Sequence, residues 1–419
     1  MFKRIVLSNG LRVLTSTMPH SRSVSVGIFV GAGSRYEDDA LAGASHFLEH
    51  MLFKGTAKRP EPQLISGAIE GVGGVINAST DREMTIYWTK VAAEHFELSL
   101  DVLVDMVRAP IMAKDEHERE RGVILEELAM TYDQPDAYAD MLIDQTLWPD
   151  QPMGRDVGGT RESVSGISRQ NLVDYHQRQY VPHNTVVAIA GGVSEERATA
   201  AAERLLGDWG PGEPLDWYPV ERNVDGARVA LGKKRSDQAH LALAMHSVSA
   251  LDSQRYAVDM MNAVLGEGMS SRLFMELRER RGLAYDIGSG SSHYRDCGAI
   301  TVYCGTDPTK VDETLRGIMH ELELMHERVA PEELDRAAAF ATGRLQLRLE
   351  DTRAVMSWLG AQELLFDHVQ LPEEVIASVR AVTVDEVQAA AGTYITPDSY
   401  RLAVVGPYRS DSRFRKLLV

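Results

Sequence analysis

Ala113-Lys114-Asp115-Glu116-His117-Glu118-Arg119-Glu120, running on to Leu128, can be laid without a gap on Ala330-Pro331-Glu332-Glu333-Leu334-Asp335-Arg336-Ala337, running on to Leu345. Self-similarity at a long period marks an architecture built twice. The surroundings agree. Each segment follows an amphipathic helical pattern, residues 93–107 and 311–326, and each of those follows an alternating strand pattern, Thr85-Ile86-Tyr87-Trp88-Thr89 and Ala299-Ile300-Thr301-Val302-Tyr303. Between the copies, the Gly-, Pro- and Trp-rich residues 207–219 break both periodicities and read as a linker. The expected fold class is α+β: two homologous domains, each a mixed or antiparallel sheet with helices packed on one face. The expected boundaries are 1–212, a linker at 213–226, and 227–419.

Composition narrows the function. A chain of 419 residues exceeds one ordinary core, and 44% hydrophobic with 25% charged residues is globular throughout. The net charge of −17 is opposite to that of a nucleic-acid binder. No apolar run approaches the ~20 residues that span a bilayer. The opening to Leu14 is broken by Asn9-Gly10, a two-residue hairpin signal between short strands, and does not read as a signal peptide. Cys297 and Cys304, seven apart on an expected strand, point to opposite faces, which argues for buried free thiols. A cytoplasmic location follows as the default.

The chemistry concentrates at His46-Phe47-Leu48-Glu49-His50. Histidines four apart on a helix project from one face and can grip one Zn²⁺, with Glu49 on the adjoining edge. This is the inverted zincin order, in which the glutamate precedes the second histidine. Glu49, offset from the histidines, is placed to act as general base rather than ligand. A catalytic zinc needs a third ligand, and Glu120, Glu126 and Glu127 are candidates on a second helix. Glu120 and Glu127 are two turns apart and share a face; Glu126 points away from Glu120. The competing reading makes them a solvated charged face, although Glu127 borders the apolar Ile124, Leu125 and Leu128.

With His50-Met51-Leu52-Phe53-Lys54-Gly55-Thr56, Asn77-Ala78-Ser79-Thr80 and Tyr180-Val181-Pro182-His183-Asn184, the chain resembles the M16 zinc metallopeptidases, the pitrilysin and mitochondrial-processing-peptidase family, in its short homodimeric M16B form. The resemblance covers nearly the entire chain and implies the LuxS/MPP-like fold. In that family a glutamate ligand follows the motif after about 76 residues; 76 residues separate His50 from Glu127, which makes His46, His50 and Glu127 the metal ligands. A second family glutamate, seven residues earlier and supporting the site, corresponds to Glu120. The resemblance makes Asn77 and Ala78 candidates for contacts to the substrate backbone and Phe53 for lining the pocket beyond the scissile bond, where a core aromatic is an equal reading. The strand from about Glu83 to Thr89 is expected at a sheet edge, where a peptide could add as a further strand. Asp133, Asp136 and Asp140 could attract a basic substrate residue or form a solvated acidic turn.

Read alone, Ser271 to Tyr285 is an amphipathic helix with a solvated basic face, ended by Gly282. The resemblance implies more: its matching helix supplies an arginine and a tyrosine seven apart, here Arg278 and Tyr285, to the zinc site of a facing half. Both sets of residues lie in one chain, so the implied assembly is a homodimer enclosing a chamber, with one Zn²⁺ per subunit and peptides or short unfolded polypeptides as substrate. The alternatives are a processing hydrolase for one peptide precursor and a catalytically inactive partner or scaffold. Gly71-Val72-Gly73-Gly74 lacks the residues of a phosphate loop, Gly266-Glu267-Gly268 lacks a dinucleotide fingerprint, and His240 and His246 read as the polar face of a strand.

Overall fold

The chain starts as the hairpin signal requires. In the computed structural model, which describes residues 2–221, 226–327 and 329–418, strands β1 (Lys3–Val6) and β2 (Arg12–Thr17) pair antiparallel around Gly10, whose φ of +87° suits only glycine. Then follow β3 (Ser23–Val30), α1 (Ala44–Leu52), α2 (Pro62–Glu70), β4 (Val75–Thr80), β5 (Thr85–Ala92), α3 (Phe96–Arg108), α4 (Lys114–Asp133), α5 (Pro135–Leu147), α6 (Arg161–Gly166), α7 (Arg169–Gln179), β6 (Thr185–Gly191) and α8 (Glu195–Leu206). The second half runs β7 (Val229–Lys233), β8 (Ala239–Ser247), α9 (Arg255–Gly266), β9 (Ala284–His293), β10 (Gly298–Thr306), α10 (Val311–Leu324), α11 (Pro331–Arg348), α12 (Thr352–Phe366), α13 (Pro372–Ala381), α14 (Val384–Tyr394) and β11 (Arg401–Gly406).

Among the described residues these strands form two mixed sheets, in the orders β1-β2-β6-β3-β5-β4 and β7-β11-β8-β10-β9. In each, one pair is parallel, β2 with β6 and β7 with β11. Dropping β1 makes the orders superimpose strand for strand, as a duplication demands. The fold is therefore α+β with two homologous sheets. The central β6 is buried along its whole length, so it reads as an unbroken apolar run.

Alternation decides which layer each side chain joins. Val24, Val26, Ile28 and Val30 of β3 and Val187 and Ile189 of β6 face the helical layer that contains Phe47, Leu48, Leu100, Leu103 and Leu172. Phe29, Val186, Ala188 and Ala190 face the other way and meet Met356, Leu359 and Leu364 of α12. The second sheet repeats the device: Leu241, Leu243 and Met245 join one layer, while Ala242 and Ala244 meet Ala139, Ile143 and Leu147 of α5. Most helices thus cover one face of each sheet, and the other face takes one helix from the opposite half of the sequence.

The compact units follow this exchange. One comprises Met1–Leu128, Asp156–Tyr218 and Gln346–Gln370; the other comprises Ala129–Arg155, Pro219–Leu345 and Leu371–Val419. The change of unit after Tyr218 falls inside the 213–226 segment, of which residues 222–225 lie outside the described residues. Up to that point the segment packs on the first unit. The Leu215 N–H donates to Gln179 Oε1 at 2.6 Å, the Tyr218 N–H donates to the Arg35 carbonyl at 2.7 Å, and the Arg35 guanidinium lies 4.5 Å from the Trp217 ring centre. Cys297 and Cys304 are buried free thiols belonging to layers on opposite faces of the second sheet.

Candidate metal centre

The N-terminus of α1 is held by a buried carboxylate. Glu37 accepts from the Gly43 N–H at 2.8 Å and the Ser45 N–H at 2.7 Å, satisfying donors that a helix start leaves open and placing negative charge where the dipole favours it. Gly43 takes φ +94°, and a Cβ there would stand 2.5 Å from the Gly158 carbonyl oxygen, so glycine is required. Ala44, Phe47, Leu48, Met51 and Leu52 bury one face of the helix in the core. That leaves His46, Glu49 and His50 on the other.

Helix α4 crosses this face. Glu120, Ile124 and Leu128 are buried along one stripe, and Glu127 lies at its margin. Glu127 Oε2 is 3.8 Å from His46 Nε2 and 3.6 Å from His50 Nε2, and one donor atom from each of the three residues falls within 4.8 Å of the others. Ligand bonds of about 2.0–2.1 Å in a tetrahedron put neighbouring donors about 3.3–3.4 Å apart. The spacing fits a single ion, and two imidazoles with one carboxylate is a zinc donor set.

Protonation favours the same use. Burial, with the His50 charge adding to it, pushes the His46 imidazole down to about 4, so at neutral pH it carries the free lone pair a metal takes. His50 Nδ1 meets Glu120 Oε2 at 3.1 Å, and Lys54 Nζ lies 2.8 Å from the other Glu120 oxygen. This carboxylate–imidazole contact turns Nε2 of His50 toward Glu127. The solvated-face reading of Glu120 is therefore excluded: the residue is only 3% exposed. Glu49 is mostly buried, which raises its carboxyl above the usual range against the opposing effect of the Thr80 hydroxyl, which donates to Oε2 at 2.6 Å. Sequence reasoning missed this contact. Its only signal was that Asn77-Ala78-Ser79-Thr80 reads as strand.

Other residues lie as follows. Strand β5, whose first residues fall in the Glu83–Thr89 segment expected at an edge, runs between β3 and β4; the edge strand is β4, which carries Asn77 and Ala78. Alternation reports a strand's faces and is silent about its neighbours, which explains the error. Phe53 ends α1, half-buried and packed on the core. In the second unit, the helix at Phe274–Arg280 is a π-helix, closed by the Arg281 N–H donating to the Glu276 carbonyl. It stops before Tyr285, so the expectation of one helix carrying both Arg278 and Tyr285 is corrected: Tyr285 is the second residue of β9 and is 76% exposed. The two are joined instead by stacking, the Arg278 guanidinium lying 5.3 Å from the Tyr285 ring centre and 4.6 Å from that of Phe274. Asp133 pairs with Lys234, and Asp140 on α5 is pushed up to about 6 by burial and by Asp144 and Asp136. His240 and His246 share their face of β8 with Ala242 and Ala244, which α5 covers; His240 is half-buried and meets the Tyr303 hydroxyl at 2.8 Å, and His246 is exposed.

Residues 12–161 match the family described as Insulinase (Peptidase family M16), and residues 166–340 match the Peptidase M16 inactive domain. An uncharacterised zinc protease of Streptomyces coelicolor is 37% identical over 99% of this chain and 91% of its own. Another, of Bacillus subtilis, is 33% identical over 97% of this chain and 98% of its own. In fold, the chain is similar to a protease from Helicobacter pylori (TM-score 0.92, 22% identity, 97% of this chain and 99% of that one) and to a peptidase M16 inactive domain from Pseudomonas fluorescens (TM-score 0.90, 22% identity, 98% of each). The chain belongs to peptidase family M16. Among the described residues no helix is long and apolar enough to cross a membrane.

Proposed function

We propose that the protein is a zinc metalloendopeptidase of the inverted motif that cleaves peptides or short unfolded polypeptides. The observation that carries this reading is the convergence of His46, His50 and Glu127 on a space the size of one ion. Those three residues would hold the metal, and the names of the curated relatives point to zinc. Bound zinc supplies an acidified water and a Lewis acid for the scissile carbonyl. Glu49 takes the water's proton and passes it to the leaving amine; burial raises its carboxyl, the direction that favours accepting a proton. Glu120 orients His50. Asn77 and Ala78 on the free edge of β4 bind substrate backbone as an added strand, and Phe53 lines the pocket beyond the scissile bond. Arg278 and Tyr285 hold the substrate backbone and the developing oxyanion.

The homodimeric chamber belongs to this reading, with each zinc-bearing half facing the partner subunit's second half; residues 1–212 are then the catalytic domain and 227–419 the supporting one. The test is zinc analysis together with cleavage of a peptide library by wild type and Glu49→Gln. Wild type is expected to bind one zinc per subunit and cleave; Glu49→Gln keeps the metal and loses hydrolysis. Near-normal turnover by zinc-loaded Glu49→Gln overturns the role of Glu49.

A further inference from the structure

Glu49 sits on α1, yet the group that fixes its carboxylate comes from the sheet. Thr80, the last residue of β4, donates to it through its hydroxyl, to Oε2 at 2.6 Å. Directly across the ladder is the buried Thr85, whose one hydroxyl proton goes to the Ala32 carbonyl at 3.0 Å and whose oxygen lies 3.4 Å from Thr80 Oγ. A carboxylate oxygen accepts, so in the Thr80–Glu49 contact the hydroxyl is the donor.

The Thr80 end of β4 is anchored. In the turn that follows, Asp81 accepts from the Glu83 N–H at 2.7 Å and the Met84 N–H at 3.2 Å, and Glu83 pairs with Arg35 at 2.7 Å. The Ser34 and Arg35 N–H groups bond the Asp81 and Arg82 carbonyls. The other end is open, with Val75 51% exposed, and β4 is the outermost strand. In an antiparallel pair alternate residues turn their N–H outward. Ala78 is one of them: its N–H is satisfied by the neighbouring Asn77 side chain at 2.8 Å, a local contact that an arriving strand can replace. Thus the strand open to an added peptide ends on the residue that grips Glu49.

Resting on the peptidase reading, we propose that Thr80 is a positioning residue, tying one Glu49 oxygen to the edge strand and leaving the other for the attacking water. A carboxylate fixed at one oxygen keeps few rotamers, and misplacing a reacting group by about 1 Å can cost about 100-fold in rate. Peptide affinity does not depend on that alignment, because the added strand bonds to backbone groups farther along β4.

The test is the steady-state kinetics of the zinc-loaded, full-length Thr80→Val, Thr80→Ala and Thr80→Ser proteins on one cleavable peptide, with zinc content, Tm and calorimetric binding of a non-cleavable peptide measured in parallel. For Thr80→Val the expected result is wild-type zinc content and peptide affinity, KM within about 2-fold, and kcat lowered about 10- to 100-fold. Thr80→Ala is expected to match it, so that misfolding of one variant leaves the result readable. Thr80→Ser, which keeps the hydroxyl, is expected to recover most of the kcat. Wild-type kcat in a variant without the hydroxyl overturns the inference, as does a raised KM at unchanged kcat, or a Thr80→Ser protein no better than Thr80→Val. Should wild type bind no zinc, or Glu49→Gln stay active, the peptidase reading fails first and independently of Thr80.

Discussion

His46 and His50 could be paired by eye because four residues on a helix is a local relation, but Glu127 lies on another helix, with 76 residues between it and His50, and needed the family spacing to be singled out. Less legible still was Lys54. It stands in the quoted His50–Thr56 stretch, and its partner, Glu120, is on α4; nothing local links them. The contact matters because Glu120 is buried between His50 and Lys54, and a buried carboxylate without partners is costly. Glu120→Gln keeps the shape and removes the charge that orients His50. Zinc affinity is expected to fall about 10- to 100-fold, as for other partners of metal-bound histidines, with Tm of the metal-free protein little changed. Competition with a chelating dye reads the first, and a thermal melt the second. Unchanged zinc affinity would remove Glu120 from the site.

At the scale of elements, the sheet faces explain what periodicity left out. Phe29 on β3 was a clue, since a large aromatic opposite the main core needs a cover, and α12 supplies it. The approach is close: a Cβ on Gly360 would lie 2.0 Å from the Phe29 ring and one on Gly27 2.3 Å from Met356 Sδ. Neither glycine carries a positive φ, so they are there for proximity rather than for turns. Gly360→Ala gains up to about 1 kcal/mol of helix propensity and is expected to lose more to overpacking, about 1–3 kcal/mol. A lowered Tm with an intact zinc site is the expected outcome, and an equal or higher Tm would show that α12 sits more loosely.

Helix α7 has a pH-dependent fastening of its own. His176 Nε2 meets the Val107 carbonyl at the end of α3 at 2.8 Å, and burial pushes the imidazole from 6.5 down to about 4. Because the folded value lies below the unfolded one, the unfolded chain takes up the extra proton. The contribution is complete above about pH 6.5 and is lost as pH falls toward 4, amounting to roughly 3 kcal/mol at most. Denaturation midpoints of wild type and His176→Gln between pH 7 and 4.5 check this. The wild-type midpoint is expected to fall more steeply with acid, and parallel curves would refute it.

For the whole molecule, the duplicated segments were legible because both copies kept their pattern, and the matching strand orders bear out that repeat. The exchange of α5 and α12 between the halves was not, since a helix's amphipathic face does not say which sheet it will cover. The repeat also shows an asymmetry of chemistry: on the ungapped offset Glu120 falls on Ala337 and Glu127 on Arg344, so only the first copy has residues able to hold a metal at these positions. The second copy carries instead the stacked pair Arg278 and Tyr285, held ready on its surface by Phe274. If the proposed dimer assembles each site from one copy of each kind, the two defects can be separated. Glu49→Gln subunits lack a base and Arg278→Ala subunits lack the backbone clamp, so each homodimer is inactive. A mixed dimer holds one site with neither defect, formed by the Glu49 of one subunit and the Arg278 of the other. Mixing equal amounts and allowing exchange makes about half the dimers mixed, with one of two sites intact, so about a quarter of wild-type activity is expected. Activity that stays at background although labelled subunits are seen to exchange would mean that both residues serve a site within one chain, and the shared chamber would have to be abandoned.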